Sequence, residues 1–409
     1  MDSRLRKYAE LAVKQGVNIQ KGQLLVINAP VDTVEFVRLC VDEAYKAGAS
    51  KVEINWNDDE ITKLNYENVD TEILKKVSQW RIEQRKEVID EKCAFLSISS
   101  TVPGNLKNID PIKLQEVSLE QSKAFQPFRY YTMANVGQWS IVAVPNVTWA
   151  ERVFPGLQGE EAMVALWDAI YKSVRIDHLN DPVKEWDEHN EKLRIHNDLL
   201  NKYNFKSLHF KNGKGTDLVV NLVKNHIWAG GYDTTQNGVI FNPNMPTEET
   251  FTTPLRTGVD GIVYGTKPLN YQGKLIENFW IRFKEGKAVE FHAEKEQDAL
   301  ANLINLDEGS CYLGEVALIS HDSPISNMNI LFYVTLFDEN ASCHLALGAA
   351  YPSNMLGGEN MSETELLEHG CNVSMAHSDF MFGSHDMAIV GLTHNGEEVQ
   401  IFKDGNFCI

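Results

Sequence analysis

Residues 24–56, LLVINAPVDTVEFVRLCVDEAYKAGASKVEINW, hold the reading on which the fold assignment turns. Leu24-Leu25-Val26-Ile27 is an unbroken apolar run, the pattern of a strand buried on both faces of a parallel sheet. From Thr33 to Lys46 apolar residues recur at helical spacing, and Gly48 follows as the residue best suited to the left-handed position beyond a helix end. Val52 to Trp56 then supplies a second strand. Strand, helix and strand in that order make a βαβ unit, whose crossover forces its two strands to run parallel.

Working outward, a helical pattern over Thr71 to Asp90 followed by Phe95-Leu96-Ser97-Ile98 extends the unit, and Ser140-Ile141-Val142-Ala143-Val144 adds a further strand. Helices are predicted around Trp149 and from Glu160 to Lys172. After Asp181-Pro182 a polar, charge-alternating helix to about Tyr203 reads as a linker or inter-domain helix. Beyond it the texture changes to hairpins, with turn signals at Asn212-Gly213-Lys214-Gly215, Lys284-Glu285-Gly286, Asn395-Gly396 and Asp404-Gly405. The expected fold is therefore α/β: an N-terminal α/β domain with a largely parallel sheet over residues 1–180, and a C-terminal α+β domain rich in antiparallel hairpins over 181–409.

The length of 409 residues fits two or three domains at ~150 residues each. With 43% hydrophobic and 23% charged residues the chain is neither disordered nor collagenous. A formal net charge of −19 repels phosphate backbones and anionic lipid, so neither nucleic acid nor a membrane surface is expected as a partner. Six scattered cysteines without a CxxC pair read as reduced thiols, not as a disulfide framework or thiolate zinc site. Met1-Asp2-Ser3-Arg4 leads directly into an amphipathic pattern without an apolar signal region, which points to a cytoplasmic protein. No run reaches the ~18 apolar residues of a membrane span, the nearest being Ile330 to Phe337.

Several signatures are missing: no GxGxxG follows the first strand, and GxxxxGK[ST], HExxH and GxSxG do not occur. Chemistry must be sought elsewhere. In His377-Ser378-Asp379 an extended backbone would place imidazole and carboxylate on the same face, as a metal requires, or as a hydrogen-bonded pair on a sheet surface. Asp338-Glu339-Asn340 and His344 lie between apolar runs, at the end of a buried element or in an ordinary turn. Glu315 is the single carboxylate of the apolar run Cys311 to Leu318, so it either has a cationic partner or lies on an exposed edge. Glu248 and Glu249 sit in a loop stiffened by Pro243, Pro246 and Pro254, as ligands or as solvated acids. Together these segments offer an N/O donor set without thiolates, suited to Zn, Co or Mn. Bridging carboxylates and open positions for a shared water would complete a two-metal site.

The chain resembles the aminopeptidase T/aminopeptidase S/PepS family of bacterial two-metal aminopeptidases, over essentially its whole length. The segments that carry the resemblance include Asn244-Met245-Pro246-Thr247-Glu248-Glu249, Leu313-Gly314-Glu315-Val316-Ala317, Thr335 through Gly348 with Ala350-Tyr351-Pro352, and His377-Ser378-Asp379-Phe380-Met381. The resemblance implies metal ligation by Glu249, Glu315, His344, His377 and Asp379, with Glu249 preferred to Glu248 by the family register. It implies Tyr351 as an aid to catalysis and two divalent ions as cofactors. After Gly383-Ser384 the chain reads His385-Asp386-Met387-Ala388 where the family pattern is more acidic, a departure that leaves the five ligands in place.

The expected function is a metal-dependent aminopeptidase that releases N-terminal residues from short peptides, with Glu315 as bridging ligand or proton acceptor. Its expected substrates are peptides with a free N-terminus, and its expected assembly is a homodimer whose catalytic domains enclose the active sites. From the residues alone two other classes stay open. One is a different dinuclear hydrolase such as a phosphoesterase, and the other is a non-enzymatic small-molecule binding protein built on the N-terminal α/β domain.

Overall fold

The computed structural model describes residues 2–100, 102, 104–272 and 274–409. They form two compact units, Met1–Glu188 with Tyr232–Pro246, and His189–Gly231 with Thr247–Ile409.

In the first unit a parallel sheet is ordered Lys51–Asn57, Leu24–Pro30, Ala94–Ser99, Trp139–Ala143. The apolar run at its centre is buried on both faces, with Leu25, Ile27 and Ala29 fully enclosed. The connecting helix is Val34–Ala47, and Gly48 ends it at φ 100°, a conformation that costs glycine no steric strain. Trp139–Ala143 is an edge strand, and two contacts cover it. The Tyr8 hydroxyl donates to the Ala143 carbonyl at 3.0 Å. Residues 243–245 lie alongside, Ile141 donating to the Pro243 carbonyl (2.8 Å) and Met245 to the Ile141 carbonyl (3.0 Å). This strand pairing makes 232–246 part of the first unit.

The single helix expected over Thr71 to Asp90 is two pieces, Thr71–Leu74 and Gln79–Asp90. Neither has an apolar stripe to hold it continuous, Val88 being the only buried residue of the pair. Two further helices, Pro111–Ala124 and Gln126–Met133, were not expected from the sequence. The Asp110 side chain caps the first of them by accepting from the Ile112 N–H at 2.9 Å. The polar helix expected after Asp181 runs Pro182–Tyr203. Among the described residues no helix is long and apolar enough to cross a membrane.

The second unit holds a nine-stranded antiparallel sheet, and each turn signal of its sequence closes a pair of neighbouring strands in it. A separate antiparallel sheet of four short strands is ordered His377–Met381, His344–Gly348, Leu313–Leu318, Thr250–Thr252. One face of this small sheet, with Val316, Leu318, Leu345, Leu347 and Phe380, belongs to the main apolar core of the unit. Phe380 is fully buried and meets the Phe279 ring edge-on at 5.8 Å. Phe380→Ala should therefore lower the unfolding free energy by about 3–5 kcal/mol. The denaturant midpoint measures this, and an unchanged midpoint would mean that the apolar face does not anchor the sheet.

Candidate metal centre

Side chains alternate along a strand, so the face of the small sheet opposite the core collects every second residue of each strand. Opposite pairs are Glu315 with Ala346, Ala346 with Asp379, Ala317 with His344, and Gly348 with His377. Glu315, His344, His377 and Asp379 thus project from one face, with only Ala317, Ala346 and Gly348 between them. Those small residues leave space among the polar groups. Glu249 directly precedes the strand Thr250–Thr252, whose Phe251 is paired with Ala317.

The polar atoms converge. His344 Nε2 lies 3.2 Å from Glu249 Oε2 and 3.2 Å from Glu315 Oε1. His377 Nε2 lies 3.5 Å from Glu315 Oε2 and 3.3 Å from Asp379 Oδ1. Glu249, Glu315 and His344 form one triad and Glu315, His377 and Asp379 another, the donor atoms of each within 4.8 Å of one another. Glu315 is common to both and gives each a different oxygen.

Backbone carbonyls fix the imidazoles. His344 Nδ1 donates to the Glu339 carbonyl at 2.9 Å, and His377 Nδ1 donates to the Ala349 carbonyl at 2.8 Å. In a neutral ring the other nitrogen then bears a lone pair, and that lone pair faces carboxylates. Such an arrangement needs a cation between the groups, a proton or a metal ion. Asp379 Oδ1 is buried without a hydrogen-bond donor, which the same reasoning explains. The donor set of imidazole nitrogens and carboxylate oxygens, each ring oriented by a backbone acceptor, fits divalent ions of the Zn, Co and Mn type. Gly348, at φ 110°, lets the chain leave its strand so that the Ala349 carbonyl reaches His377.

Electrostatics agree with this geometry. Burial opposes charge on His377, yet Asp379 and Glu315 outweigh it and push the imidazolium up to about 10. His344 is likewise raised, burial being outweighed by Glu249 and Glu315. Burial pushes Glu315 upward from the ordinary carboxylate value, while Asp379, despite burial, is held low by His377.

All five residues expected as ligands therefore meet around one small volume. Glu248 is turned elsewhere: its carboxylate is 3.8 Å from His189 Nε2, and its N–H donates to Asn340 Oδ1 at 2.7 Å. Glu315 is on an interior strand and only 4% exposed, so the exposed-edge reading of this residue does not hold. Tyr351 has its ring centre 4.8 Å from that of His377. Burial and the charges of Glu315, Asp379, Glu339 and Glu249 hold its phenol well above the usual range, so it stays protonated.

Glu339 was named from the sequence beside His344, without a ligand role. Glu339 is pushed well above the usual carboxylate range by burial and by the neighbouring charges of Asp379 and Glu249. Its place in a helical turn, Glu339–Ala341, is why its sequence context looked like an ordinary connection. The available signal was an acid five residues before His344 and between two apolar runs.

Comparisons with known proteins extend the picture. Residues 1–407 match the family described as thermophilic metalloprotease (M29). The chain is 46% identical over 410 residues to aminopeptidase AmpS of Bacillus subtilis, covering all of both chains. It is 40% identical to aminopeptidase T of Thermus aquaticus, over 99% of this chain and 98% of that one. A solved structure, wild-type AmpT from Thermus thermophilus, superposes with a TM-score of 0.92 at 38% identity, covering 99% of each chain.

Ligand nitrogens that carry protons in metal-free protein must release them when an ion binds. Titration of metal-free protein with Zn2+, Co2+ or Mn2+ at pH ~7 should therefore release protons, measurable by calorimetry in buffers of different ionisation enthalpy. Without metal, the raised pKa of His377 stabilises the fold fully below its unfolded value of ~6.5. That contribution is lost as pH rises through about 10. Metal binding with no proton release would place the ion away from these two rings.

Proposed function

This chain belongs to the thermophilic metalloprotease (M29) family and is a metal-dependent aminopeptidase, and on that premise we propose that it releases N-terminal residues from short peptides at a two-ion centre. The observation that carries the proposal is the division of Glu315 between two triads, one oxygen toward His344 and the other toward His377. A single shared carboxylate between two ligand groups is the arrangement of two-metal hydrolases, whose ions lie ~3.5–4 Å apart.

Glu249, Glu315, Glu339, His344, His377 and Asp379 would hold the ions. When bound, the ions supply Lewis acidity toward the scissile carbonyl and lower the pKa of a shared water. The remaining work falls to the chain itself. Glu315 serves in one of two roles, as the ligand shared by both ions or, through an oxygen not bound to an ion, as the acceptor that takes the proton of the attacking water and returns it to the departing amine; burial raises its proton affinity. The water oxygen first forms its new bond to the carbonyl carbon, and the C–N bond breaks afterwards as the amine nitrogen takes the proton. Tyr351, kept protonated, donates its hydroxyl hydrogen to the oxyanion that develops between those events. The free α-amine of the substrate would bind an ion of the centre or the surrounding acidic groups, which favours cleavage at the chain end.

The further parts of the reading are a homodimer, supported by the family resemblance, and a cytoplasmic location, supported by six free cysteines of which five are buried. The net charge of −19 supports peptides in preference to nucleic acid or a membrane surface as partners.

Removal of metal with a chelator should abolish hydrolysis of aminoacyl anilides, and Zn2+, Co2+ or Mn2+ should restore it. Glu315→Gln should reduce kcat by ~10²–10⁴-fold and Tyr351→Phe by ~10²–10³-fold, with the fold retained by circular dichroism. Full turnover by metal-free protein, or hydrolysis of phosphate esters with anilides untouched, would sink the proposal.

A further inference from the structure

Outside the ligand set, two buried asparagines bond to the main chain of the very segments that carry the ligands. Asn340 is fully enclosed and Asn372 is 1% exposed. A buried amide is tolerated only when its hydrogen bonds are made, so the groups it bonds are the groups it holds in place.

Asn340 Oδ1 accepts from the Glu248 N–H at 2.7 Å, and its Nδ2 donates to the Leu336 carbonyl at 3.1 Å. The first bond ties the loop just before Glu249 to the turn Glu339–Ala341. That turn also presents the Glu339 carbonyl, to which His344 Nδ1 donates at 2.9 Å. One side chain thus joins the loop of Glu249 to the anchor of His344, and the polar atoms of those two residues lie 3.2 Å apart.

Asn372 does the same for the other imidazole. Its Nδ2 donates to the Gly348 carbonyl at 2.6 Å and to the Gly309 carbonyl at 2.8 Å, while its own carbonyl accepts from the Ala350 N–H at 2.9 Å. Ala349 stands between the two held neighbours, and its carbonyl accepts from His377 Nδ1 at 2.8 Å. Arg256 Nε donates to Asn372 Oδ1 at 3.1 Å. A turned-over amide would set its NH2 against the guanidinium and its oxygen against two carbonyls, so only one orientation is allowed.

We propose that Asn340 and Asn372 are positioning residues that divide the centre between them, Asn340 serving the ion held by Glu249, Glu315 and His344, and Asn372 the ion held by Glu315, His377 and Asp379. The proposal rests on the two-ion reading of this centre. Both asparagines act through main-chain atoms. Without its amide each group would keep its ligands but lose their alignment, which metal affinity reads directly.

The test uses full-length enzyme loaded with Co2+ and titrated with a competing chelator, the visible absorption of the bound ion giving two dissociation constants. Glu249→Gln and Asp379→Asn mark which constant belongs to which group. Asn340→Ala should weaken the ion of the Glu249 group by about 10–100-fold, and Asn372→Ala that of the Asp379 group by a similar factor. The ratio of the two constants therefore shifts in opposite directions in the two variants. Asn340→Ser and Asn372→Ser, which keep a small polar side chain, carry the same test should the alanine variants fail to fold. A merely structural role would lower the melting temperature and weaken both ions alike. In folded variants, an unchanged ratio or a shift in the same direction in both would overturn the proposal while leaving the two-ion reading intact. Wild type that yields only one Co2+ per chain would overturn both.

Discussion

Glu315 stands on an interior strand of the small sheet, with one oxygen 3.2 Å from His344 and the other 3.5 Å from His377. A carboxylate so deeply buried is tolerable only with positive charge beside it, and here that charge must be shared between two directions. The strand register makes this possible. A slip of one residue would carry Glu315 into the apolar core and bring Val316 to the ligand face, a change penalised on both sides of the sheet. The apolar face formed by Val316, Leu345 and Phe380 therefore does more than stabilise. It holds the polar face in alignment, and Ala317 and Ala346 keep that face open enough for ions.

Much of this was legible in the sequence, for identifiable reasons. The βαβ unit was readable because an apolar strand, an amphipathic helix and a terminal glycine each have a local signature. The hairpins were readable from their turn residues. His377 and Asp379 declared a shared face through their spacing of two, and Glu315 stood out as a lone acid in an apolar run. Their convergence with Glu249 and His344 was not readable from periodicity, since it depends on pairing between strands far apart in the chain; the resemblance to a known family supplied that link. The direction of Glu339 escaped because a helical turn has no face that sequence alone can aim. The break in the helix over Thr71 to Asp90 escaped because exposed polar residues carry no periodic stripe to interrupt.

The acids around the centre divide by what they touch. Glu249, Glu315 and Asp379 lie against imidazoles, while Glu248 is directed to His189 and linked through its backbone to Asn340. Asp338 is different again, since it is occupied by backbone N–H groups and shapes a loop. Neighbours in sequence, Asp338 and Glu339 or Glu248 and Glu249, thus do separate jobs. Acidic composition alone could not have sorted them, because only the direction of each side chain does so.

The imidazoles are oriented by the carbonyls of Glu339 and Ala349, both of which belong to the main chain. A side-chain substitution at position 349 leaves the acceptor for His377 in place so long as the backbone path is kept. The tautomer of each ring is in this sense insulated from sequence drift at the position that enforces it. Evolution can then vary the surroundings of the centre, and with them its range of peptides, without disturbing which nitrogen faces inward.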